Sequence, residues 1–236
     1  RMDLFMDLKT SWLGLELKNP FVPSASPLSR SLETAQRLQD AGAAAIVMYS
    51  LFEEAVRAEE EGMTRFLHHQ ETGHAEAASY LPANQDFPGE LDRYLEQIAA
   101  LKATLDIPVV ASLNGVTASG WIEHASEIAN AGADALELNI YYVAADIQED
   151  GLEVEQRYLA VLQELYKRVE IPINMKLSPF FSSVGNMVRQ LEAAGASGVS
   201  LFNRFYQPDI QIDSLRLNNA LPATRSADAL LAMVTA

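Results

Sequence analysis

A short pattern of helix, glycine and apolar run occurs three times in the chain. Each copy ends an amphipathic stretch with Gly-Ala, and an apolar run of strand length follows; the copies are Leu38–Ala43, Ile128–Ala133 and Leu191–Ala196. A glycine after a helix takes the left-handed conformation at no steric cost and so ends the last turn. A short apolar run after such a stop is typical of a strand buried in a parallel sheet. The repeat therefore predicts helices that alternate with buried strands.

Six core strands are predicted in total. Two of them begin with a proline near the strand start, where the missing N–H does not disrupt the ladder. The predicted strands are Phe21–Ala25, Ala44–Ser50, Asp106–Leu113, Ala135–Tyr142, Glu170–Leu177 and Gly198–Phe205. The amphipathic stretches between them are Ser31–Ala41, Glu90–Leu105, Gly120–Ala131, Leu152–Val169 and Ser183–Ala194. This order predicts an α/β fold with a parallel sheet and right-handed crossovers.

An open doubly wound sheet would show the same alternation, but two features favour a barrel. The chain has no Gly-x-Gly-x-x-Gly turn and no phosphate loop, and polar residues stand at the carboxyl ends of the predicted strands, where barrel sites are built. We therefore expect a TIM-type (β/α)8 barrel. The length of 236 residues is just below the ~250 typical of that fold, which predicts a single domain over residues 1–236.

Two segments lie outside the repeat. Residues 1–19 contain an alternating stretch around Gly14, which predicts a small hairpin that covers one barrel end. Residues 51–89 carry an acidic run and three histidines, and we expect a long active-site loop there. A solvated helix followed by a flexible excursion is the alternative for this segment. Surface loops commonly carry histidines, so no metal site is predicted.

Charge limits the partners of the chain. It carries 17 Lys and Arg against 32 Asp and Glu, and the formal net charge of −15 repels a nucleic-acid backbone. No apolar stretch approaches the ~18 residues of a membrane span. We expect a cytoplasmic protein that binds a small molecule. The chain has no cysteine, so its own residues supply no thiolate nucleophile and no cysteine-ligated iron–sulfur cluster.

Polar side chains stand at or near the ends of all six predicted strands. They are Ser24, Ser26, Ser50, Asn114, Asn139, Lys176 and Asn203. Lys176 is the most informative of them, because it is one of five lysines in the chain and lies inside an apolar strand. A buried lysine requires an anion or loses its charge. It could face a bound cofactor, act as a Schiff-base nucleophile, or be a strand-end charge paired with a neighbouring carboxylate.

Four strand motifs resemble those of a known family. Leu17–Ser26, Leu136–Ile140, Met175–Pro179 and Leu201–Arg204 are similar, in order and spacing, to the first, fourth, fifth and sixth strand motifs of dihydroorotate dehydrogenases. The resemblance implies an FMN-dependent oxidoreductase of pyrimidine metabolism that transfers a hydride from a dihydropyrimidine-like substrate to the flavin. It also implies a homodimer.

The resemblance assigns site residues as well. It implies that the backbone of Ala25 and Ser26 lies against the flavin and that Asn139 and Lys176 contact FMN. The other cofactor residues expected are Ser24, Tyr49, Ser50 and Asn114, and the substrate residues expected are Asn84, Asn139 and Asn203. A lysine near the flavin N1 and C2 carbonyl would stabilise the negative charge that develops there on hydride transfer.

Two positions depart from the family pattern. The family motif Asn-Leu-Ser-Cys-Pro, whose Cys or Ser is the general base, is Asn139–Val143 here and places Tyr142 at the base position. A phenol with a pKa near ~10 is a poor base at neutral pH. Tyr49 stands where the family commonly has a second-strand lysine. With Tyr142 and Lys176 as the candidate catalytic residues, we expect dihydroorotate to be oxidised poorly or not at all.

The last part of the chain predicts no convincing seventh or eighth strand. Ser226–Met233 resembles the family helix before the last strand, so the family's glycine-rich phosphate contact is expected to be missing near Asn219–Ala223. The native polypeptide is therefore expected to be longer. Two other functions remain open: an aldolase or lyase that uses Lys176 as a Schiff base, and a barrel that binds a ligand without turnover.

Overall fold

The computed structural model describes residues 6–59, 89–115, 118–140, 142–203, 209–218 and 232–233. Its strands are β1 (Thr10–Trp12), β2 (Leu15–Leu17), β3 (Ile46–Phe52), β4 (Val109–Gly115), β5 (Ala135–Ile140), β6 (Ile173–Leu177), β7 (Gly198–Leu201), β8 (Asp209–Gln211) and β9 (Arg216–Asn218). Its helices are α1 (Leu32–Asp40), α2 (Glu90–Thr104), α3 (Ala118–Asn130), α4 (Gly151–Tyr166) and α5 (Val184–Ala193). Residues 27–30 form a 3₁₀ turn and residues 53–59 a further helical segment.

A parallel sheet of five strands forms the centre, in the order β3-β4-β5-β6-β7. A helix joins each of β4, β5 and β6 to the next strand, so the predicted α/β class and parallel sheet are confirmed. Within the described residues the sheet ends at β3 on one side and at β7 on the other. Closure into a barrel stays a prediction.

The glycine stops of the repeat adopt the expected backbone conformation. Gly42, Gly132 and Gly195 have φ values of 105°, 100° and 110°. After α1, the Gly42 N–H donates to the Gln39 carbonyl and the next N–H donates to the Leu38 carbonyl. This pair of hydrogen bonds satisfies carbonyls that the helix end leaves open. The same pattern closes α3 and α5, and each closure leads directly into a strand.

The first predicted core strand requires a correction. Residues 21–24 lie extended beside β3, where the carbonyls of Phe21 and Pro23 accept from the N–H groups of Ala44 (2.9 Å) and Val47 (3.1 Å). Pro23 has no N–H to return, so the segment forms no regular ladder. The prediction of Phe21–Ala25 as a core strand is therefore wrong, and within the described residues five strands form the sheet.

The β1–β2 hairpin lies at the amino ends of the sheet strands. Leu13 (φ 56°) and Gly14 (φ 74°) form its two-residue turn, and two positive φ values match the twist of antiparallel strands. The Leu13 side chain is buried in a cluster with Val47, Val110 and Ala135, which stand near the starts of β3, β4 and β5. The opposite end of the sheet, at the carboxyl ends, is not covered by this hairpin.

The two faces of the sheet differ in chemistry. Alternate residues of β4, β5 and β6 point to the helices and form one large buried cluster with them; the strand members are Val109, Ala111, Leu113, Leu136, Leu138, Ile140, Ile173, Met175 and Leu177. The other face, here called the inner face, begins with the apolar cluster under the hairpin and then becomes polar. The core therefore lies between sheet and helices, and the inner face is left for other contacts.

The segment expected to be a long loop begins with regular structure. β3 continues to Phe52 and residues 53–59 are helical, whereas residues 60–88, with Asn84 and the loop histidines, lie outside the described residues. In the part of the chain that is described, no helix is long and apolar enough to cross a membrane.

Candidate active site

Two polar rows cross the inner face of the sheet. We call Ser50, Ser112, Glu137, Asn174 and Gly198 the lower row, because these residues pair across β3 to β7 nearer the amino ends. The upper row lies two residues further along each strand and contains Asn114, Asn139, Lys176 and Ser200. Neighbouring strands are about 4.8 Å apart, so consecutive members of a row have side chains within contact range.

The upper row brings together three of the residues predicted for a cofactor or substrate, and a fourth contacts it. Asn114, Asn139 and Lys176 are direct cross-strand neighbours. Asn203 joins them from beyond β7, where its side-chain Nδ2 donates to Asn139 Oδ1 at 2.9 Å. Its backbone N–H donates to the Leu177 carbonyl at 2.6 Å, which fixes the residue at the end of β6. Three side-chain amides and one ammonium therefore share one edge of the inner face.

The lower row contains a buried carboxylate that was not among the predicted site residues. The Glu137 side chain is 4% exposed, and its Oε1 accepts from Lys176 Nζ at 3.3 Å. Its Oε2 accepts from Asn174 Nδ2 at 3.2 Å and from Ser200 Oγ at 3.4 Å. The alternation of Leu136–Ile140 carried the sequence signal for it, since an inward Asn139 requires an inward Glu137.

Ser50 lies in the lower row beside Ser112, and their Oγ atoms are 2.9 Å apart. The register between β3 and β4 shifts by one residue just before this pair. At that position the buried Tyr94 hydroxyl accepts from the Ser112 N–H at 2.8 Å and donates to the Ser112 carbonyl at 3.1 Å. Burial strongly raises the pKa of Tyr94, so its hydroxyl stays protonated. The Tyr94 hydroxyl, from α2, therefore supplies hydrogen-bond partners for the N–H and the carbonyl of Ser112 where the register of β3 and β4 shifts.

Tyr49 is not brought to the inner face. Its ring packs edge-on against Tyr94 at 5.1 Å between centroids, within the cluster on the helix side. The Arg30 guanidinium lies 4.0 Å above the ring. The pKa of Tyr49 is raised, mainly by burial. The register shift next to Tyr49 explains the difference from the prediction, because an extra residue in β3 breaks the simple alternation of faces.

Tyr142 lies in a separate cluster after β5. Its hydroxyl donates to Glu149 Oε2 at 2.5 Å, Arg157 also donates to that carboxylate, and the Arg157 guanidinium lies 4.1 Å from the centre of the Tyr142 ring. The hydrogen bond to Glu149 is the main reason that the pKa of Tyr142 is raised above its usual value. Among the described contacts none joins Tyr142 to the upper row. The two candidate catalytic residues, Tyr142 and Lys176, are therefore not brought together.

A cavity of about 460 Å³ adjoins this cluster. Its lining is Tyr142, Asp146, Gln148, Glu149, Glu153 and Arg157. None of these residues belongs to either row of the inner face. Within the described ranges, no group of three histidine or acidic side chains is arranged to hold a metal ion.

The three site residues predicted at the end of the first strand have different surroundings. Ser24 lines a cavity of about 340 Å³ together with Glu137, Ser200 and the hairpin residue Trp12. Ala25 packs against the apolar cluster under the hairpin, towards the amino ends. The Ser26 carbonyl accepts from Ser29 Oγ at 3.0 Å at the start of the 3₁₀ turn. Of the three, only Ser24 lines the same cavity as the polar inner face.

No protein-family model matches the chain. Curated relatives are nevertheless named as dihydroorotate dehydrogenases, the family that the strand motifs resemble. The catalytic subunit of dihydroorotate dehydrogenase B (NAD(+)) from Geobacillus sp. (strain WCH70) is 28% identical over 202 residues, which cover 80% of this chain and 58% of that protein. The same subunit from Halalkalibacterium halodurans is 32% identical over 120 residues, or 49% of this chain and 38% of that protein. Dihydroorotate dehydrogenase A (fumarate) from Lactobacillus delbrueckii subsp. bulgaricus is 24% identical over 197 residues, or 80% and 61%.

Solved structures with a similar backbone carry other names. Dihydrodipicolinate synthase (DHDPS) from Cyanidioschyzon merolae matches with a TM-score of 0.46 and 14% identity, over 74% of this chain and 52% of that one. Phosphoenolpyruvate phosphomutase from Streptomyces platensis matches with a TM-score of 0.48 and 18% identity, over 78% and 55%. Likenesses this weak carry no argument about function. The curated relatives, in contrast, confirm the predicted resemblance: over about four fifths of its length this chain is similar to dihydroorotate dehydrogenases, and it spans at most about three fifths of theirs.

Proposed function

We propose that the chain is an FMN-dependent oxidoreductase of the dihydroorotate dehydrogenase type, with its flavin on the inner face of the sheet. One observation carries the proposal: Asn114, Asn139 and Lys176 are cross-strand neighbours in a single row, with Asn203 hydrogen-bonded to that row. Three separate sequence motifs thereby supply one surface.

The side chains of the upper row fit the polar edge of a flavin ring. That edge alternates N–H and C=O groups, and an asparagine amide offers both a donor and an acceptor, whereas a lysine ammonium offers donors only. Bound FMN would supply the acceptor for a hydride, which none of the chain's own side chains provides. Lys176 would lie beside the N1 and C2 carbonyl region and oppose the negative charge that develops there. The family's glycine-rich phosphate contact, which the sequence predicts to be missing near residues 219–223, falls on a segment outside the described residues.

Asn203 is proposed as the substrate contact, and its hydrogen bond to Asn139 would then link substrate and cofactor residues. A dihydropyrimidine-like ring matches these amides for the same reason as the flavin does. The proton of the substrate has no good acceptor in Tyr142, because that hydroxyl donates to Glu149 and its pKa is raised. We therefore propose a substrate related to dihydroorotate rather than dihydroorotate itself. A cytoplasmic location, predicted from the lack of a long apolar stretch, and a homodimer, implied by the resemblance, both stay predictions.

The absorption spectrum of the full-length protein tests the flavin, and Lys176→Met tests the site. We expect the wild-type protein to bind FMN and to reduce it with substrate, and the variant to lose FMN or its reducibility. Lys167→Met is the matched control, since Lys167 is an exposed lysine with its own ion pair to Glu164. A Lys176→Met protein that binds and reduces FMN like wild type would contradict the assignment. Borohydride trapping of a carbonyl compound on Lys176 would instead favour the Schiff-base lyase.

A further inference from the structure

Glu137 is a buried carboxylate to which the proposed function gives no role. It lies in the middle of the lower row, between Ser112 on β4 and Asn174 on β6. Its side chain is 4% exposed, and an isolated carboxylate at such a depth is strongly unfavourable unless it is paired and hydrogen-bonded. A residue with this cost in the centre of a candidate site requires an explanation.

The contacts of Glu137 point to Lys176. Two neutral groups, Asn174 Nδ2 and Ser200 Oγ, hold one carboxylate oxygen from β6 and β7. The other oxygen accepts from the Lys176 ammonium at 3.3 Å. Within the described residues Glu137 is the one hydrogen-bond partner of Lys176, whereas the carboxylate has two more partners, Asn174 on β6 and Ser200 on β7. The carboxylate is therefore the more firmly anchored member of the pair.

A lysine side chain needs such an anchor to act at a defined place. Its four-carbon stem is flexible, and its ammonium is a point charge without the fixed geometry of a guanidinium. Lys176 belongs to the upper row, and Glu137 is offset from it by one strand and one row. The ion pair therefore draws the ammonium towards the boundary between the rows, beside Asn139 and on the inner face.

We infer that Glu137 is a positioning residue that holds the Lys176 ammonium on the inner face, where it meets a flavin lying on Asn114 and Asn139. This inference rests on the proposed function, because FMN is the ligand that the positioned charge serves. Glu137 does not touch the ligand in this scheme. It acts only through Lys176, so its effect on ligand binding must depend on Lys176 being present.

A double-mutant cycle on FMN affinity tests that dependence. Glu137→Gln keeps the shape and removes the charge, and we expect it to weaken FMN binding about tenfold in the presence of Lys176. In a Lys176→Met background the same change is expected to cause no weakening. Simple charge repulsion predicts the opposite sign, because loss of a carboxylate near an anionic cofactor would strengthen binding in both backgrounds. Equal effects in the two backgrounds, or stronger binding in the first, would overturn the inference.

Two further variants keep the test decisive if Lys176→Met binds no FMN. Glu137→Asp retains the charge and is expected to bind FMN more tightly than Glu137→Gln; the reverse order would overturn positioning by charge. Glu164→Gln removes a carboxylate from the exposed pair with Lys167 and is expected to leave FMN affinity unchanged. An equal loss in Glu164→Gln would show that the effect is not specific to Glu137, and the inference would fail.

The proposed function can fail separately from the coupling of Glu137 to Lys176. If the wild-type protein binds no FMN, the proposed function is refuted, and the ion pair is then tested by the melting temperatures of the variants. Lys176→Met leaves Glu137 buried without its partner, so the second change Glu137→Gln is expected to raise the melting temperature of that variant. No rise would show that the two side chains are not coupled, and the inference would fail as well.

Discussion

Removal of one hydroxyl group, in Tyr94→Phe, is expected to destabilise the sheet where β3 and β4 shift register. The Tyr94 side chain is fully buried, and its hydroxyl is bound to both the N–H (2.8 Å) and the carbonyl (3.1 Å) of Ser112. The phenylalanine ring fills the same space but leaves a buried donor and a buried acceptor without this partner. Each orphaned group costs about 1–3 kcal/mol, so we expect a loss of about 2–4 kcal/mol in the free energy of unfolding.

Urea denaturation at neutral pH measures this loss. The midpoint should fall with little change in the m-value, because the change alters stability without altering the surface exposed on unfolding. Tyr166→Phe is the matched control, since Tyr166 is 60% exposed and its hydroxyl makes no hydrogen bond with the described residues. A loss below about 0.5 kcal/mol for Tyr94→Phe, within the range of ordinary surface changes, would refute the reasoning.

Three further outcomes are expected. Gly195→Ala places a methyl group 2.5 Å from the Tyr166 ring at a φ of 110°, so we expect it to destabilise the protein by more than about 1 kcal/mol. In Gly185→Ala the new methyl group meets open space, and we expect the protein to be stabilised by about 0.4–1 kcal/mol. Thermal denaturation that ranks the two variants in the opposite order would contradict this. Dihydroorotate oxidation in steady-state assays should be about 10²–10⁴-fold below the rate of an enzyme with a matched base, because the Tyr142 hydroxyl donates to Glu149; a family-like wild-type rate would be inconsistent with this. The hydrogen bond from Tyr142 lowers the pKa of Glu149 below its usual 4.5. The Glu149 carboxylate therefore contributes fully to stability above that value, and its contribution is lost as pH falls through the lower folded pKa. In Glu149→Gln the free energy of unfolding should depend less on pH in this acidic range, and an unchanged dependence would argue against the hydrogen bond.

Several features of the fold could be predicted from sequence because they depend on neighbouring residues alone. The glycine stops at Gly42, Gly132 and Gly195 follow from the steric freedom of one residue, and all three adopt positive φ. Helices and strands follow from the spacing of apolar residues over one or two turns. Asn139 and Lys176 could be singled out as candidate site residues, because each is a polar residue within an otherwise apolar strand.

Contacts between distant segments were decided by the tertiary structure. Glu137 meets Asn174 and Lys176 across 37 and 39 residues of chain, and only the register of β5 against β6 determines that these three side chains meet. Nothing in the order of residues along one strand specifies its alignment with the next. The buried ion pair was therefore found only in the folded sheet.

Tyr49 and Tyr142 show the same limit. Tyr49 was expected among the cofactor residues, but an irregularity between β3 and β4 turns it to the helix side against Tyr94. Tyr142 was expected in the active site, but its hydroxyl meets Glu149, next to the start of α4. Sequence determined which residue types stand near the carboxyl ends of the strands. The direction in which each side chain points was decided by strand register and by the partners that packing brings within hydrogen-bond distance, since a side chain settles where its polar group is satisfied.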